Sequence, residues 1–266
     1  MLKSKMKKII AIALTATMMI SASSMPAMVN AATIENSSAV SEVYGDFYYG
    51  YDGKGIIIKS YFGDDTDVVI PDEINGYPVI SIATDCFREL KNLKSLKLPA
   101  NLIEIEWRAV FRCNNLTEII IPDKVLTIGR KAFLNCPNLK RVMIPKSVIE
   151  IGEYAFGYTY RVFQREPWLD YTEYEYNKVE GFTIYTPPKS YATEYADKFD
   201  LNCVEIPIGD VDLDGKVTIQ DATLMQRYCA DNVTIDNIQL SFSDADSNGD
   251  ININDATAIQ KIVAAN

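Results

Sequence analysis

The hydrophobic positions in the middle of the chain recur at a fixed interval. Short alternating strands end in Ile/Leu-Pro pairs, and the pairs that begin at Leu98, Ile121 and Ile144 lie 23 residues apart. Each pair is followed by a second short apolar strand and an Ala-Phe turn. Because so small a unit cannot bury its own apolar face, successive copies must stack to form a continuous core. The pattern predicts a mainly β solenoid with short turns.

The repeat resembles a known class of leucine-rich repeats. The segment IPDKVLTIGRKAFLNCPNL, from Ile121 to Leu139, is similar to the "IPxxVxxIGxxAFxxCxxL" unit of the BspA-like (treponemal surface antigen type) class. The resemblance implies a leucine-rich repeat domain over residues 44–206, with repeats at about 68–157. The second unit departs from the pattern, with Glu106 and Trp107 in place of the usual Gly and Val110 in place of Phe.

Both ends of such a solenoid need caps, since an open end exposes apolar surface and unpaired strand edges. Residues 44–61 predict an N-terminal hairpin that turns at Asp52-Gly53. Residues 181–206 predict a C-terminal cap of a strand, a helix over 190–199 and a final strand.

Residues 158–179 interrupt the period with an aromatic insertion. One interpretation is a loop that covers the edge of the solenoid through aromatic packing. The other is an insertion that binds a sugar or a protein through exposed aromatic faces, with Trp168 and Tyr171 as candidate ligand contacts.

The outward side of the first strand in each repeat is a second candidate surface. Alternation predicts that Ile120 and Met143 stack outward, where an apolar column would suit a protein partner. The inward side brings Cys113 and Cys136 together as neighbours in adjacent repeats. Their spacing permits a disulfide, but an inward ladder of free thiols is favoured.

The start of the chain predicts secretion. A basic beginning, an apolar run of 12 residues from Ile9 to Ile20 and small residues at Val29 and Ala31 predict a signal peptide over residues 1–31. The run is short for a membrane span, so we expect a secreted, extracellular protein without membrane insertion. Residues 32–43 predict a flexible segment.

The composition excludes several classes of chemistry. The 266-residue chain has no histidine, which removes Ser-His-Asp and Cys-His catalysis and imidazole metal sites. Its formal net charge of −10 argues against a nucleic-acid partner. Paired carboxylates remain available for hydrolysis, but the acidic residues of the repeats are predicted to face solvent without a deep cleft, so we expect a non-catalytic protein.

Two acidic segments near the end of the chain have calcium-loop spacing. DVDLDGKVTIQD and DADSNGDININD lie 34 residues apart, and each has Gly at position 6. Calcium prefers six to eight hard oxygen ligands, and a curled loop presents alternate side chains and one main-chain carbonyl to the ion. The pattern predicts two Ca²⁺ sites, with ligands from Asp210, Asp212, Asp214, Lys216, Thr218 and Asp221, and from Asp244, Asp246, Asn248, Asp250, Asn252 and Asp255.

Each loop leads into a helix, but no long helix precedes either loop. This duplicated half EF-hand resembles a type I dockerin, a small all-α module, over residues 209–266. The resemblance implies calcium-dependent binding to a cohesin domain of a scaffoldin. It places the contacts at loop positions 10 and 11 and on one helix face, at Ile219, Gln220, Thr223, Gln226 and Arg227, and at Ile253, Asn254, Thr257, Gln260 and Lys261.

The two resemblances together imply a secreted, non-catalytic component of a cell-surface cellulosome, a complex for polysaccharide degradation. The repeats would bind a protein or carbohydrate ligand, and the terminal module would bind the cohesin. Two alternatives remain open at this point: a hydrolase (glycosidase or peptidase) borne by its dockerin, and a protein-binding adhesin or inhibitor.

Overall fold

A computed structural model describes residues 41–163 and 173–265 of the chain. Its strands are β1 Ser41–Tyr44, β2 Phe47–Tyr51, β3 Ile56–Tyr61, β4 Asp67–Val69, β5 Glu73–Ile74, β6 Tyr77–Ile82, β7 Ser95–Lys97, β8 Glu104–Ile105, β9 Glu118–Ile120, β10 Thr127–Ile128, β11 Arg141–Met143, β12 Glu150–Ile151, β13 Tyr158–Phe163, β14 Glu173–Lys178, β15 Thr183–Thr186 and β16 Asn202–Glu205. Its helices are α1 Tyr191–Lys198, α2 Ile219–Cys229, α3 Asn237–Ser241 and α4 Ile253–Ala265.

The repeats stack as rungs of a β solenoid, which confirms the predicted fold class. The second strands of the repeats form one sheet in the order β6-β8-β10-β12, and the first strands β9 and β11 continue into β15 and β16. The parallel register pairs Ile128 with Ile151 and Val142 with Ile119, one sequence period apart. The 23-residue interval therefore sets which residues are neighbours in space.

The core of the solenoid is a continuous apolar column. Phe133 and Phe156 occupy the same place in successive rungs, and their stacked rings lie 4.8 Å apart. Cys113 and Cys136 are free, buried thiols whose Sγ atoms donate to the carbonyls of Phe87 and Val110 in the preceding rungs. The ladder of free thiols is thus confirmed.

Gly129 is required by the close approach of adjacent rungs. A Cβ atom at this position would lie 2.6 Å from the backbone carbonyl carbon of Glu106, which occupies the same place one rung earlier. Glu106 itself stands where the later repeats have Gly, and its carboxylate accepts hydrogen bonds from the backbone N–H and hydroxyl of Thr84. The departure from the repeat consensus therefore adds a polar link between rungs.

Additional strands lie at both ends of the stacked repeats, where the sequence predicts caps. Strands β2 and β3 form the N-terminal hairpin, and the Asp52 carboxylate accepts from two backbone N–H groups in its turn. Strand β15, helix α1 and strand β16 form the C-terminal cap, with β16 parallel to β15. Each cap adds hydrogen-bonded strands to the edge that it covers.

The described part of the aromatic insertion is an antiparallel hairpin, β13–β14. Its rings pack on the edge of the rungs: Tyr176 stacks on Tyr154 with centroids 4.0 Å apart, and Tyr160 stacks on Phe111 at 6.3 Å. This packing favours the interpretation that the insertion covers the solenoid edge. Trp168 and Tyr171, the candidate ligand contacts, lie outside the described residues.

Candidate metal centre and interaction surfaces

The first acidic loop, between Gly209 and α2, is closed by its own carboxylates. Asp210 is fully buried, and its two carboxylate oxygens accept from the backbone N–H groups of Asp214 and Gly215 at 3.1 and 2.8 Å. Gly215 has φ +92°, which a side chain would disfavour. The carboxylates of Asp210, Asp212 and Asp214 lie within 4.8 Å of one another.

The second loop repeats this geometry. Asp244 accepts from the backbone N–H groups of Asn248 and Gly249 at 3.1 and 2.9 Å, and Gly249 has φ +88°. Carboxylate oxygens of Asp244, Asp246 and Asp255 lie within 4.8 Å of one another. Two segments of different sequence thus reach one backbone conformation.

The carboxylate at position 12 ties each loop to its helix. Asp221 is fully buried and accepts from the backbone N–H groups of Val211 and Thr218, both at 2.8 Å, and Thr218 caps α2. In the second loop, the Asp255 carboxylate accepts from the backbone N–H groups of Ala245 at 2.9 Å and Asn252 at 2.8 Å. The first turn of each helix therefore fixes the loop, and the loop fixes where the helix begins.

The clustered carboxylates of the two loops could hold a metal ion. Burial raises the pKa of Asp210 to about 6, with a further contribution from the negative charges of Asp221 and Asp212. In the described ranges, no Lys or Arg side chain forms an ion pair with any of the loop carboxylates. Clustered oxygen ligands without nitrogen or sulfur suit a hard divalent ion such as Ca²⁺, so the residues fit the predicted metal.

The remaining predicted ligands occupy places compatible with this cluster. Lys216 and Asp250 follow the glycines, where their main-chain carbonyls are the expected donors. Asn248 Oδ1 accepts from the backbone N–H of Asp250 at 2.7 Å, and Asn252 Oδ1 accepts from that of Asn254 at 2.9 Å. Bound Ca²⁺ would supply charge neutralisation and a fixed loop shape, and these side chains would hold it.

The ten predicted partner contacts are all exposed. Helices α2 and α4 pack on each other through Ala222, Met225, Ala256 and Ile259, which leaves the opposite faces free. Ile219 is 56% exposed and Ile253 is 52% exposed, a high fraction for two isoleucines at equivalent positions. Each module half therefore presents an aliphatic side chain beside polar ones: Gln220, Thr223, Gln226 and Arg227 on one half, and Asn254, Thr257, Gln260 and Lys261 on the other.

The outward apolar column of the repeats is not free, contrary to prediction. Met143 is only 3% exposed because Ile238 and Phe242, from α3 and its end, pack over it together with Ile206. Ile120 is half-buried against the same cluster. The column points away from the solenoid core, but the terminal module of the same chain covers it.

Polar contacts frame this covered column. Arg141 Nη2 donates to the carboxylate of Asp236 at 2.8 Å, and Glu118 accepts from the Asn237 amide at 2.7 Å. Arg141 also pairs with Glu118 at 3.6 Å, as a link between neighbouring rungs. Asp236, Asn237 and Ile238 are contact residues that the sequence pattern did not predict, although the apolar pair Ile238 and Phe242 at i and i+4 indicates a helix with one apolar face.

Two regions match known families. Residues 66–163 match the BspA type leucine rich repeat region, in six copies. Residues 208–264 match the dockerin type I domain. Both are non-catalytic modules, and no curated protein matches the chain.

Several solved structures are similar to part of this chain. The T. pallidum leucine rich repeat protein is 26% identical with a TM-score of 0.39, and the match covers 53% of this chain and 68% of that protein's chain. A leucine-rich repeat protein from Bacteroides capillosus is 23% identical with a TM-score of 0.40, covering 42% and 86%. The pneumococcal vaccine antigen PcpA is 16% identical with a TM-score of 0.38, covering 60% and 46%. Among the described residues, no helix has the length and apolar character to cross a membrane.

Proposed function

We propose that this protein, which carries a BspA type leucine-rich repeat region and a type I dockerin domain, is a secreted, non-catalytic component of a cellulosome-type complex. Its dockerin binds a cohesin domain of a scaffoldin, and its repeats bind a ligand. Residues 1–31 act as a signal peptide. The single observation that carries the proposal is the duplicated loop-helix geometry, in which two acidic loops each position an exposed helix face.

The calcium requirement follows from the charges. Each loop gathers carboxylates that repel one another until a divalent ion neutralises them, so the loops and the first turns of α2 and α4 form a stable arrangement only with Ca²⁺ bound. We infer two Ca²⁺ ions, one for each loop. The cohesin-binding faces begin inside these loops, at Ile219 and Ile253, so loss of the ions disturbs both faces.

The cohesin contact is centred on the two exposed isoleucines. An aliphatic side chain that is more than half exposed gains free energy when a partner covers it. Because the halves carry Gln226-Arg227 and Gln260-Lys261 at matching places, either helix can supply the polar part of the contact.

Isothermal titration calorimetry of the full chain with a panel of cohesin domains, at saturating Ca²⁺, tests this proposal. At least one cohesin should bind the full chain, and the double variant Ile219→Asp/Ile253→Asp should reduce its affinity at least a hundredfold. Ile149→Asp is the matched control, since Ile149 is 65% exposed on the repeat region. Failure of every cohesin to bind, or equal affinity for the double variant, would contradict the proposal.

The non-catalytic part of the proposal has its own test. Purified protein should release no product from plant polysaccharides or casein. Measurable turnover would instead support a hydrolase borne by the dockerin.

A further inference from the structure

A cleft of about 470 Å³ opens across three consecutive rungs next to strand β13. Its floor is built from residues that recur at the repeat interval. Glu89, Arg112 and Asn135 form one column, and all three have positive φ angles near 60°. Lys91 and Asn114 belong to the second column. The cleft is therefore a product of stacking, and no single repeat contains it.

The cleft has the opposite sign of charge to the whole chain. Lys91, Arg112 and Arg161 line it with a single acid, Glu89, whereas the chain carries a formal net charge of −10. Arg112 engages Glu89 at 3.1 Å and donates to the Tyr160 hydroxyl at 3.2 Å. Within the described ranges, the side chains of Lys91 and Arg161 have no ion-pair or hydrogen-bond partner. Two positive charges are thus available to a ligand.

The polar groups of the cleft are mainly donors. The Oδ1 atom of Asn135 accepts from the backbone N–H of Tyr160 at 2.6 Å, so its amino group remains free to donate. The side chain of Asn114 is exposed and adds a second amide. A ligand that fits this set must offer several oxygen acceptors, at least one of them anionic.

The backbone of the floor is already paired. The N–H groups of Glu89, Arg112 and Asn135 donate to carbonyls of the next rung at 2.7, 3.1 and 3.0 Å. A peptide that binds by adding a strand needs free backbone N–H and C=O groups. The three N–H groups on this floor are already used, so they cannot pair with such a peptide. Recognition therefore falls to the side chains, whose amide groups and positive charges favour a ligand rich in hydroxyl and carboxylate groups.

We propose that this cleft binds an acidic oligosaccharide, a sugar chain that carries carboxylate groups. Its carboxylates pair with Lys91 and Arg161, and its hydroxyls accept from the amides of Asn114 and Asn135. The volume lies within the range of small-ligand sites in proteins. This proposal rests on one part of the proposed function, that the repeats bind a ligand. It does not depend on cohesin binding by the dockerin.

Calorimetric titration of the full chain with tetragalacturonate tests this assignment. We expect binding that weakens at least tenfold in Lys91→Ala/Arg161→Ala and is unchanged in Lys146→Ala, a matched exposed lysine elsewhere on the repeats. Both removed side chains are exposed, so the fold should persist, which an unchanged thermal transition would establish. Lys91→Gln provides a milder second variant with an intermediate loss.

Four results would overturn the assignment. They are the absence of binding, equal affinity in the double variant, equal affinity for a neutral galacto-oligosaccharide of the same length, and equal or tighter binding of hexaglutamate at the same residues. Cohesin binding by the same variants is measured in parallel. The affinity for cohesin should be unchanged in these variants. A failure of the sugar-binding proposal can therefore be distinguished from a failure of the cohesin-binding proposal.

Discussion

The guanidinium of Arg141, on repeat strand β11, donates a 2.8 Å hydrogen bond to the carboxylate of Asp236, the residue that caps α3 of the dockerin. The two residues are 95 positions apart in sequence and belong to different modules. Their pair lies beside the apolar cluster of Met143, Ile238 and Phe242. The repeat region and the dockerin therefore share a packed contact and are joined by more than the linking chain.

A double-mutant cycle should detect this pair in solution. Because both side chains are partly exposed, we expect a coupling energy of only about 0.5 kcal/mol between Arg141→Ala and Asp236→Ala. Asp236→Ala alone should also lower the free energy of unfolding by about a further 1 kcal/mol, because the helix loses its cap. Chemical denaturation measures both quantities. The more exposed pair Arg130 and Glu153 is the control, with coupling near zero, and equal coupling in both cycles would argue against the contact.

The apolar part of the contact predicts a larger effect. Ile238 is fully buried, so Ile238→Asp places a charge in an apolar cluster at a cost of about 3 kcal/mol or more. Separation of the modules relieves this cost, so calorimetry should show one unfolding transition for the parent protein and two for Ile238→Asp. Val69→Asp, at a 62% exposed position, should leave the parent profile unchanged. A single unshifted transition for Ile238→Asp would contradict the packed contact.

The cap of α3 also predicts a dependence on pH. Although burial favours the neutral acid, hydrogen bonds from the Gln239 backbone N–H and from Arg141 lower the pKa of Asp236. Its contribution to stability is thus complete above the unfolded-state pKa of about 4 and is lost as the pH falls through the lower folded-state value. Arg141, which also pairs with Glu118, is the charged group that contacts Asp236.

The difference in free energy of unfolding between the parent and Asp236→Asn should therefore shrink as the pH is lowered from 6 to below about 3. Denaturation curves at several pH values measure it. Asp231→Asn, an exposed acid of the same module, is the matched comparison and should show a smaller change. A difference that grows on acidification would reverse the sign required by the lowered pKa.

Rung spacing predicts the outcome of one small substitution. Gly129→Ala would place a methyl group 2.6 Å from backbone atoms of Glu106 and Trp107, which cannot move without disturbing the preceding rung. We expect a loss of about 1–3 kcal/mol, measured by thermal or urea denaturation. Arg130→Ala changes the adjacent, exposed side chain and should have little effect. If Gly129→Ala left the stability unchanged, the rungs would have to be farther apart than described.

Sequence periodicity predicted the parts of the fold that depend on local repetition. The pairing of Ile128 with Ile151 and the matched loops at Asp210 and Asp244 follow from fixed intervals, since the chain applies one geometry at each copy. The covering of Met143 could not be predicted this way. Alternation shows that its side chain leaves the solenoid core, but only the three-dimensional path of the chain brings Ile238 over it.

The acidic-sugar cleft lay beyond sequence reasoning for a related reason. Lys91 and Arg112 fall in repeats and Arg161 lies on the hairpin that interrupts them, so nothing in their spacing joins them. The signal that could have pointed to it is the recurrence of polar residues at the left-handed positions Glu89, Arg112 and Asn135. Such positions fall on turns, where polar residues are expected for structural reasons alone.

We propose that two Ca²⁺-filled loops shape the cohesin-binding faces of the dockerin. Titration of the calcium-free protein with Ca²⁺, followed by titration of the same sample with its cohesin, tests it most directly. We expect two bound Ca²⁺ per chain, and cohesin binding that is present after loading with Ca²⁺ and lost in excess EDTA. A protein that takes up no Ca²⁺, or that binds cohesin equally well in EDTA, would contradict it.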